Sequence, residues 1–292
     1  TCSGNSLKWF PDKRGLAAGA TAAGFGAGAA VTVIPVANMI NTSGYEQAFF
    51  VFGIIQGCII TACALFMPRA KLPPGTKAIP KVISSKKNYS QTQMLREPLF
   101  WLIYICFVGV ASGGIMATAS FGPVSRDYGL DKIPVTCLGV TLPLLTMAMS
   151  IDNICNGATR PLMGYLSDHY GRENLMLVVF GGEAVALMGL VFWGRQPLGF
   201  MFFAAMTFAC WGEIFSLFPS MCADTFGSKF AAGNAGTLYT AKGTSSLLVP
   251  LAAGLAKGGN WNRTFVLSAC IAAICSCLAL FVLKPWRRRF IE

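Results

Sequence analysis

The chain has 292 residues, of which 54% are hydrophobic and only 12% are charged. Soluble proteins carry about 25% charged residues, so this composition excludes an ordinary soluble domain. Runs of about 20 apolar residues, long enough to cross a bilayer, recur between short polar segments. The sequence therefore predicts an all-α polytopic membrane protein with the lipid bilayer as its surroundings.

Eight membrane-spanning helices are predicted in chain order. They cover residues 15–39, 47–67, 99–122, 135–163, 174–194, 198–222, 231–256 and 263–283. A basic connection with several prolines, residues 68–98, is predicted to be a solvated linker. It divides the chain into residues 1–67, with two spans, and residues 99–292, with six spans and a basic tail.

Basic residues are distributed unevenly between the two sides of this topology. One side holds both termini, the linker, Arg172 and Lys229, whereas the other holds only five basic residues. Those five are Arg126, Lys132, Arg195, Lys257 and Arg263. Because basic residues favour the cytoplasmic side, both termini and the linker are predicted to be cytoplasmic, in a plasma membrane or a bacterial inner membrane. The net charge of +11 is then a topology signal and gives no support to a nucleic-acid partner.

The sequence contains no pattern typical of a cofactor, a metal site or catalysis. Most of the eleven cysteines lie inside apolar runs, where we interpret them as small packing residues. His169 is the only histidine and there is no Cys-x-x-Cys pair, so a structural zinc site lacks a ligand set. No Ser/His/Asp, Cys/His or Walker-type arrangement is present, so the chain is expected to be neither an enzyme nor dependent on a cofactor.

An internal repeat relates the first two spans to the last two. The segment WFPDKRGLAAGAT resembles TFGSKFAAGNAGT, and GYEQAFF resembles NWNRTFV. Matching residues are separated by 216 positions throughout: Phe10 and Phe226, Lys13 and Lys229, Thr21 and Thr237, Phe49 and Phe265. Chance similarity between Gly/Ala-rich helices is the alternative, but it does not explain a constant offset.

The repeat predicts a larger architecture. If the six-span unit has a complete sister, about 120 residues and four spans are expected upstream of Thr1. Twelve spans in two parallel halves, joined by a basic cytoplasmic loop, are the architecture of the major facilitator transporters. The chain is then expected to hold eight of twelve transmembrane helices, with the missing N-terminal helices as its partner.

A signature segment follows the fourth predicted span. GYLSDHYGR, which contains Gly164, Asp168 and Arg172, resembles the G-x-x-x-D-x-x-G-R motif that the major facilitator superfamily carries in a cytoplasmic loop of each half. A carboxylate and a guanidinium at a helix end form a charge-assisted latch that can break and reform as the bundle rocks. These three residues are therefore expected to form a gating latch in the loop after the fourth span.

Further segments are similar to the oxalate:formate antiporter family. They are WFPDKRGLAAGATAAGFGAG, NGATRPLMGYLSD, FACWGEIFSLFPS and YTAKGTSS, and the resemblance covers residues 9–283. In that family an arginine and a lysine at the positions of Arg160 and Lys242 form the cationic centre for the carboxylate substrate, and aromatic residues wall the cavity. The resemblance thus implies a substrate site with Arg160, Lys242, Trp211 and Tyr239.

Counting residues also places both cations near the bilayer midplane. Arg160 lies eight residues inside Asp168 and Lys242 lies thirteen residues inside Lys229, which puts each roughly 12 to 20 Å from the cytoplasmic end. A central arginine or lysine costs about 2.5 to 3.5 kcal/mol on insertion scales, so neither is expected to face lipid. They are expected to line a wet cavity and bind an anion, with internal ion pairing as the alternative.

Three residues depart from the family pattern, namely Asp152, Glu213 and Tyr239. Asp152 shares one helix face with Asn156 and Arg160, and Glu213 lies in the sixth span. The two acids, Asp152 and Glu213, argue against a compact dianion such as oxalate and offer proton coupling as an alternative role. Tyr239 stands where the family has tryptophan, which adds a hydroxyl group to the cavity wall.

The sequence thus predicts a secondary active transporter of small organic anions, carboxylates of the oxalate or formate kind, that works by alternating access as an antiporter. One alternative is a proton-coupled monocarboxylate carrier or another small-solute carrier. Another is a non-transporting, truncated remnant, because part of the expected cavity wall is absent. A membrane enzyme is the third, and its metal or nucleophile cluster is not in the sequence.

Overall fold

The computed structural model describes residues 2–68, 82–137, 139–256 and 260–292, most of which are helical. Its α-helices are α1 (Cys2–Trp9), α2 (Arg14–Phe66), α3 (Gln91–Arg96), α4 (Pro98–Asp127), α5 (Leu144–Tyr170), α6 (Arg172–Trp193), α7 (Pro197–Trp211), α8 (Ile214–Phe226), α9 (Ala231–Ser246), α10 (Val249–Leu255), α11 (Asn262–Leu278) and α12 (Lys284–Ile291). A π-helix (Ala279–Leu283) joins α11 to α12, and two strands, β1 (Pro134–Cys137) and β2 (Val140–Pro143), precede α5.

Long apolar helices confirm the expected all-α polytopic fold. Within the described ranges, five helical stretches are long and apolar enough to cross a membrane. They are Arg14–Phe66, Pro98–Asp127, Arg172–Trp193, Pro197–Phe226 and Asn262–Ile291. The first of these contains two of the predicted spans.

α2 is a helical hairpin rather than one long rod. Gly44 interrupts its 53 residues with φ 83° and ψ 165°, a conformation that glycine adopts without a side-chain penalty. A straight helix of that length would span about 80 Å. Yet Asn5, in α1 beside the start of α2, donates a side-chain hydrogen bond to the Pro68 carbonyl oxygen at 3.0 Å. The first arm (residues 14–43) and the second arm (residues 45–66) therefore run antiparallel.

The internal repeat is visible in where the helices start. α2 begins at Arg14 and α9 begins at Ala231. The second arm of α2 begins after Gly44, and α11 begins at Asn262. Both pairs of starts keep the sequence offset of 216 positions to within one residue. This agreement favours a true repeat over chance similarity.

A β-hairpin replaces the predicted start of the fourth span. Val135 pairs with Leu142 in an antiparallel register, and Gly139 in the turn has φ 81°. The prediction that a membrane-spanning helix begins at Val135 is wrong, because β-branched residues raise the hydropathy of this segment while favouring a strand. The helix α5 begins only at Leu144.

Two of the predicted spans contain a local turn. In the span over residues 198–222, Gly212 and Glu213 separate α7 from α8, but both keep right-handed helical dihedral angles and Pro197–Phe226 remains one helical stretch. In the span over residues 231–256, a turn after Ser246 separates α9 from α10. Hydropathy located both spans but did not reveal either turn.

The described part of the linker packs against the ends of the helices. The Ser85 amide donates to the Asp224 carbonyl oxygen at 2.8 Å, and the Asn234 side chain donates to the Tyr89 carbonyl oxygen at 3.0 Å. Ser90 caps α3 with a reciprocal capping box. Residues 82–97 are nevertheless mostly exposed or half-buried, which agrees with the prediction of a solvated linker. Residues 69–81 of the predicted linker lie outside the described residues.

The C-terminal helix holds this part of the linker in place. Arg287 of α12 donates to the Ile83 carbonyl oxygen at 2.7 Å and to the Thr225 hydroxyl at 2.7 Å. Its guanidinium also pairs with the Glu173 carboxylate at 2.6 Å, and both side chains are buried. The basic tail is thus a structural element of this end of the bundle.

Aromatic packing between α4, α6 and α8 forms the core behind the candidate site. Phe107 and Phe218 stack with 4.5 Å between ring centroids, and Phe180 stacks on Phe218 at 5.9 Å. Tyr239 of α9 meets Phe107 edge to face at 5.9 Å. These contacts give the site a well-packed apolar backing.

The first arm of α2 packs against α5 through glycine backbones. A β-carbon at Gly15 would overlap the Gly164 carbonyl group, and one at Gly26 would overlap the Gly157 backbone. These four residues form a glycine seam between the two helices. Because no side chains intervene, the backbone of α2 comes within reach of polar side chains on α5.

Candidate functional site

Arg160 is a buried cation beside the glycine seam, with 3% of its surface exposed. Its guanidinium donates to the Ala22 carbonyl oxygen on α2 at 2.6 Å and to the side-chain oxygen of Asn156, one turn earlier on α5. The Glu213 carboxylate also acts electrostatically on it. The two neutral oxygens orient the guanidinium without cancelling its positive charge.

Arg160 and Lys242 lie over the same aromatic ring. Arg160 Cζ is 5.0 Å from the centroid of the Phe215 ring, and Lys242 Nζ is 4.9 Å from it. The two cationic centres therefore lie within about 10 Å of each other, and Lys242 lies in the electrostatic field of Arg160. Within the described ranges, no carboxylate lies at salt-bridge distance from Lys242. The pair is a centre of positive charge suited to an anion.

The two predicted aromatic residues flank the same ring. Tyr239 stacks on Phe215 with 6.0 Å between centroids and an interplanar angle of 8°, and its hydroxyl donates to the Phe215 carbonyl oxygen at 3.3 Å. Trp211 meets Phe215 edge to face at 5.7 Å. All four predicted substrate-binding residues thus converge on one ring that the sequence analysis did not single out.

The turn between α7 and α8 places these side chains. The Asn156 side chain donates to the Phe208 carbonyl oxygen at 2.9 Å, and a β-carbon at Gly212 would overlap that same asparagine. The Trp211 ring packs directly on the backbone of α4 at Gly114, where a β-carbon would overlap it. Glycine at these two positions lets α7 end against α4 and α5, so that α8 restarts with Phe215 facing the cations.

The two acids that depart from the family pattern have different surroundings. Glu213 is fully buried, accepts a hydrogen bond from the Ser216 hydroxyl at 3.0 Å, and acts on Arg160. Asp152 is also fully buried, but neither of its carboxylate oxygens has a hydrogen-bond partner in the described part of the chain. Asp152 shares a helix face with Arg160, two turns away along α5.

The predicted latch residues meet the start of α2. Asp168 accepts hydrogen bonds from the backbone amides of Gly15 and Leu16, each at 2.9 Å, and pairs with Arg172 at 2.7 Å. A carboxylate at a helix N-terminus also interacts favourably with the helix dipole. Gly164 contributes through the glycine seam, where its lack of a side chain allows Gly15 to approach.

A second carboxylate extends this latch to α8. Asp224 pairs with Arg172 at 3.0 Å and with Arg14 at 2.9 Å, and all three side chains are buried. The network therefore joins α2, α5, α6 and α8. The sequence predicted that the G-x-x-x-D-x-x-G-R motif lies in a loop, and this is wrong. Only Gly171, with φ 90°, separates α5 from α6.

Sequence reasoning missed three residues of this arrangement. Phe215 lies in an apolar run, where an aromatic residue carries no signal of a functional role. Arg14 and Asp224 had a usable signal, because Arg14 lies within one repeated segment, Asp224 immediately precedes the other, and both are close to a predicted helix end. An acid and a base at such ends are candidates for a buried pair.

The repeated helical units and the buried charge network define a polytopic membrane bundle built from two related parts. The chain belongs to the major facilitator superfamily, whose profile matches residues 3–151 and 133–291. This confirms the family that the signature segment and the repeat predicted.

Several characterised and uncharacterised proteins are similar to the chain. The oxalate:formate antiporter of Oxalobacter formigenes is 35% identical over 96% of this chain and 65% of its own length. The uncharacterized MFS-type transporter YhjX of Escherichia coli is 24% identical over 83% of this chain and 58% of its own length. The MFS-type transporter opdF of Penicillium oxalicum is 23% identical over 89% of this chain and 58% of its own length. The chain thus spans less than two thirds of the length of these relatives.

Proposed function

We propose that this chain is part of a secondary active transporter of small organic anions, which binds a substrate carboxylate between Arg160 and Lys242. Phe215, Trp211 and Tyr239 shape the wall of the site. The similarity to an oxalate:formate antiporter supports carboxylates as the substrate class. The tyrosine at position 239 and the nearby Glu213 favour a substrate larger or less charged than oxalate.

One observation carries this proposal, namely that two cations share the ring of Phe215 at 5.0 and 4.9 Å. Like charges at this separation repel, and solvent screens the repulsion in part because Lys242 is exposed. An anion placed between them converts the repulsion into two attractions. The complete site is therefore expected to bind most tightly a ligand that carries negative charge at one end.

Transport proceeds by alternating access, with exchange of one anion for another. The network of Asp168, Arg172, Asp224 and Arg14 closes the end of the bundle that the distribution of basic residues assigns to the cytoplasm. Opening of this end requires these pairs to separate. An antiporter performs that step with substrate bound, because the anion offsets the repulsion between Arg160 and Lys242 while the helices move.

The test is anion uptake by the complete gene product in lipid vesicles, with Arg160→Gln and Lys242→Gln as separate variants. Each is expected to reduce uptake of a small carboxylate by about 10-fold to 100-fold, because a hydrogen bond to a charged group contributes about 1.5 to 3 kcal/mol. Lys229→Gln is the matched control, since it removes an exposed lysine from the start of the same helical region.

Retained uptake in both site variants, at normal membrane levels, would overturn the assignment of the site. A loss in Lys229→Gln equal to that in Lys242→Gln would also count against it. Uptake that needs no anion on the opposite side of the vesicle would argue against exchange and leave the anion site itself intact.

Asp152 favours a second candidate function, proton-coupled solute transport. Its carboxyl group is fully buried and has no hydrogen-bond partner within the described residues, which is a costly arrangement for a charged form. Asp152→Asn is then expected to change the pH dependence of initial uptake between about pH 5 and 8 more than it changes the amount of protein. The same profile in the variant and the parent returns the interpretation to simple anion exchange.

A further inference from the structure

Glu183 is a buried carboxyl group that the anion site does not use. It lies in the middle of α6 with no surface exposed, and neither of its oxygens has a hydrogen-bond partner in the described part of the chain. The burial is complete within this chain. Helices packed outside the bundle therefore cannot reach Glu183 without displacing the present packing.

Glu183 and an orphaned serine converge on one point of α4. A β-carbon built on Gly113 would lie 3.3 Å from Glu183 Oε1, 3.4 Å from the Ser268 carbonyl oxygen and 3.7 Å from Ser268 Cβ. The Ser268 hydroxyl is fully buried and also has no hydrogen-bond partner in the described ranges. Three helices, α4, α6 and α11, thus bring two unsatisfied polar side chains to the backbone of a glycine.

The surroundings of Glu183 contain acids and thiols rather than cations. Cys210 of α7 and Cys275 of α11 lie in its electrostatic field, and Cys210 also feels Glu213 from the start of α8. Cys106 of α4 acts on Cys275. Among the described residues, no cationic side chain forms an ion pair with the Glu183 carboxyl group.

We propose that Glu183 is a proton-binding site inside the bundle, occupied as a neutral carboxylic acid in the neighbourhood of Ser268. An isolated carboxylate in a low-dielectric interior costs far more than a neutral acid, so such a group takes up a proton instead of staying charged. Binding takes one proton from water and removes one negative charge. The neutral acid carries a hydroxyl donor close to the Ser268 hydroxyl, which has no hydrogen-bond partner in the described ranges.

Release of this proton is coupled to the contact between α4 and α11. The bare carboxylate needs water, and separation of the helix that carries Gly113 from the helix that carries Ser268 admits water to Glu183. The site therefore holds these helices together while protonated.

Infrared spectroscopy of the complete gene product tests the proposal without any transport measurement. At about pH 7, where an exposed carboxyl group is ionised, the C=O stretch of a protonated carboxylic acid is expected in the parent and shifts in heavy water. A component of this band is expected to disappear in Glu183→Gln and to persist in Asp152→Asn, which removes another acid without a hydrogen-bond partner in the described ranges.

Serine variants keep the test informative if Glu183→Gln does not fold. Ser268→Ala is expected to shift the frequency of the band, because it replaces a polar neighbour of the acid with a methyl group. Ser276→Ala is the matched control on the same helix, since Ser276 already donates to the Leu177 carbonyl oxygen at 2.8 Å. A folded Glu183→Gln variant that keeps every protonated-carboxyl band, or a band that Ser268→Ala and Ser276→Ala leave equally unchanged, would overturn the proposal.

Discussion

Replacing Asp168 by asparagine is expected to open the end of the bundle that the latch closes. The substitution keeps the shape of the side chain but removes the charge that binds Arg172 at 2.7 Å. It also weakens the two hydrogen bonds from the amides of Gly15 and Leu16, each at 2.9 Å. The perturbation therefore acts on the contact between α2 and α5 and leaves the apolar core unchanged.

The size of the effect follows from the contacts that are lost. A carboxylate at a helix N-terminus stabilises it by about 0.3 to 1 kcal/mol when exposed and up to about 2 kcal/mol when partly buried. Asp168 is buried, so a loss of about 2 kcal/mol applies, and this equals a change of about 30-fold in the ratio of closed to open molecules. The neighbouring pair of Arg172 with Asp224 limits the loss, because it stays in place.

Spin labels at Lys13→Cys and Tyr170→Cys report the separation of α2 from α5 in the complete gene product, in a background without reactive cysteines. The Asp168→Asn variant is expected to show a larger population with separated labels. Asp12→Asn is the matched control, because Asp12 lies just before α2 and forms no ion pair within the described ranges. Identical label separations in Asp168→Asn and Asp12→Asn would refute the latch.

Two further predictions concern the ends of the bundle. Arg287→Met is expected to lower the free energy of unfolding by about 3 to 5 kcal/mol, because it leaves the buried Glu173 unpaired, and Arg287→Met with Glu173→Met is expected to restore most of it. Thermal unfolding measures both, and a double variant as unstable as the single one would contradict the pairing argument. Single cysteines at Ser43 and Ser84 are expected to react with a membrane-impermeant reagent in intact cells only at Ser43, and labelling at Ser84 would overturn the orientation.

Membrane insertion was predictable because hydrophobicity and length decide it almost alone. The two arms of α2 were separable in the sequence because polar residues and Gly44 interrupt the apolar run. The β-hairpin at Val135 was not, since hydropathy measures transfer from water and is blind to backbone conformation. The turn at Gly212 is also invisible to hydropathy, because it depends on how closely α4 and α5 approach it.

The candidate site was predictable where a residue type is rare in its setting. Arg160 and Lys242 stand out because charged residues at membrane depth are costly, and the structure brings them to one ring. Phe215 carries no such mark, so only packing reveals that it lies beneath both. Proximity of acids was harder to judge: Asp152 shares a helix face with Arg160, but the sequence did not show that Glu213, outside that helix, also acts on the guanidinium.

The glycine seam between α2 and α5 has a mechanical meaning. Most packed helices interlock, because side chains of one fill the grooves of the other, and a relative rotation then requires many side chains to change rotamer together. At Gly15, Gly26, Gly157 and Gly164 there are no side chains to interlock. The first arm can therefore rotate against α5 at these positions with little change of side-chain rotamers. Among the described residues, polar contacts oppose this rotation at two points. Arg160 donates to the Ala22 carbonyl oxygen at mid-length, and Asp168 accepts from the Gly15 amide at the end.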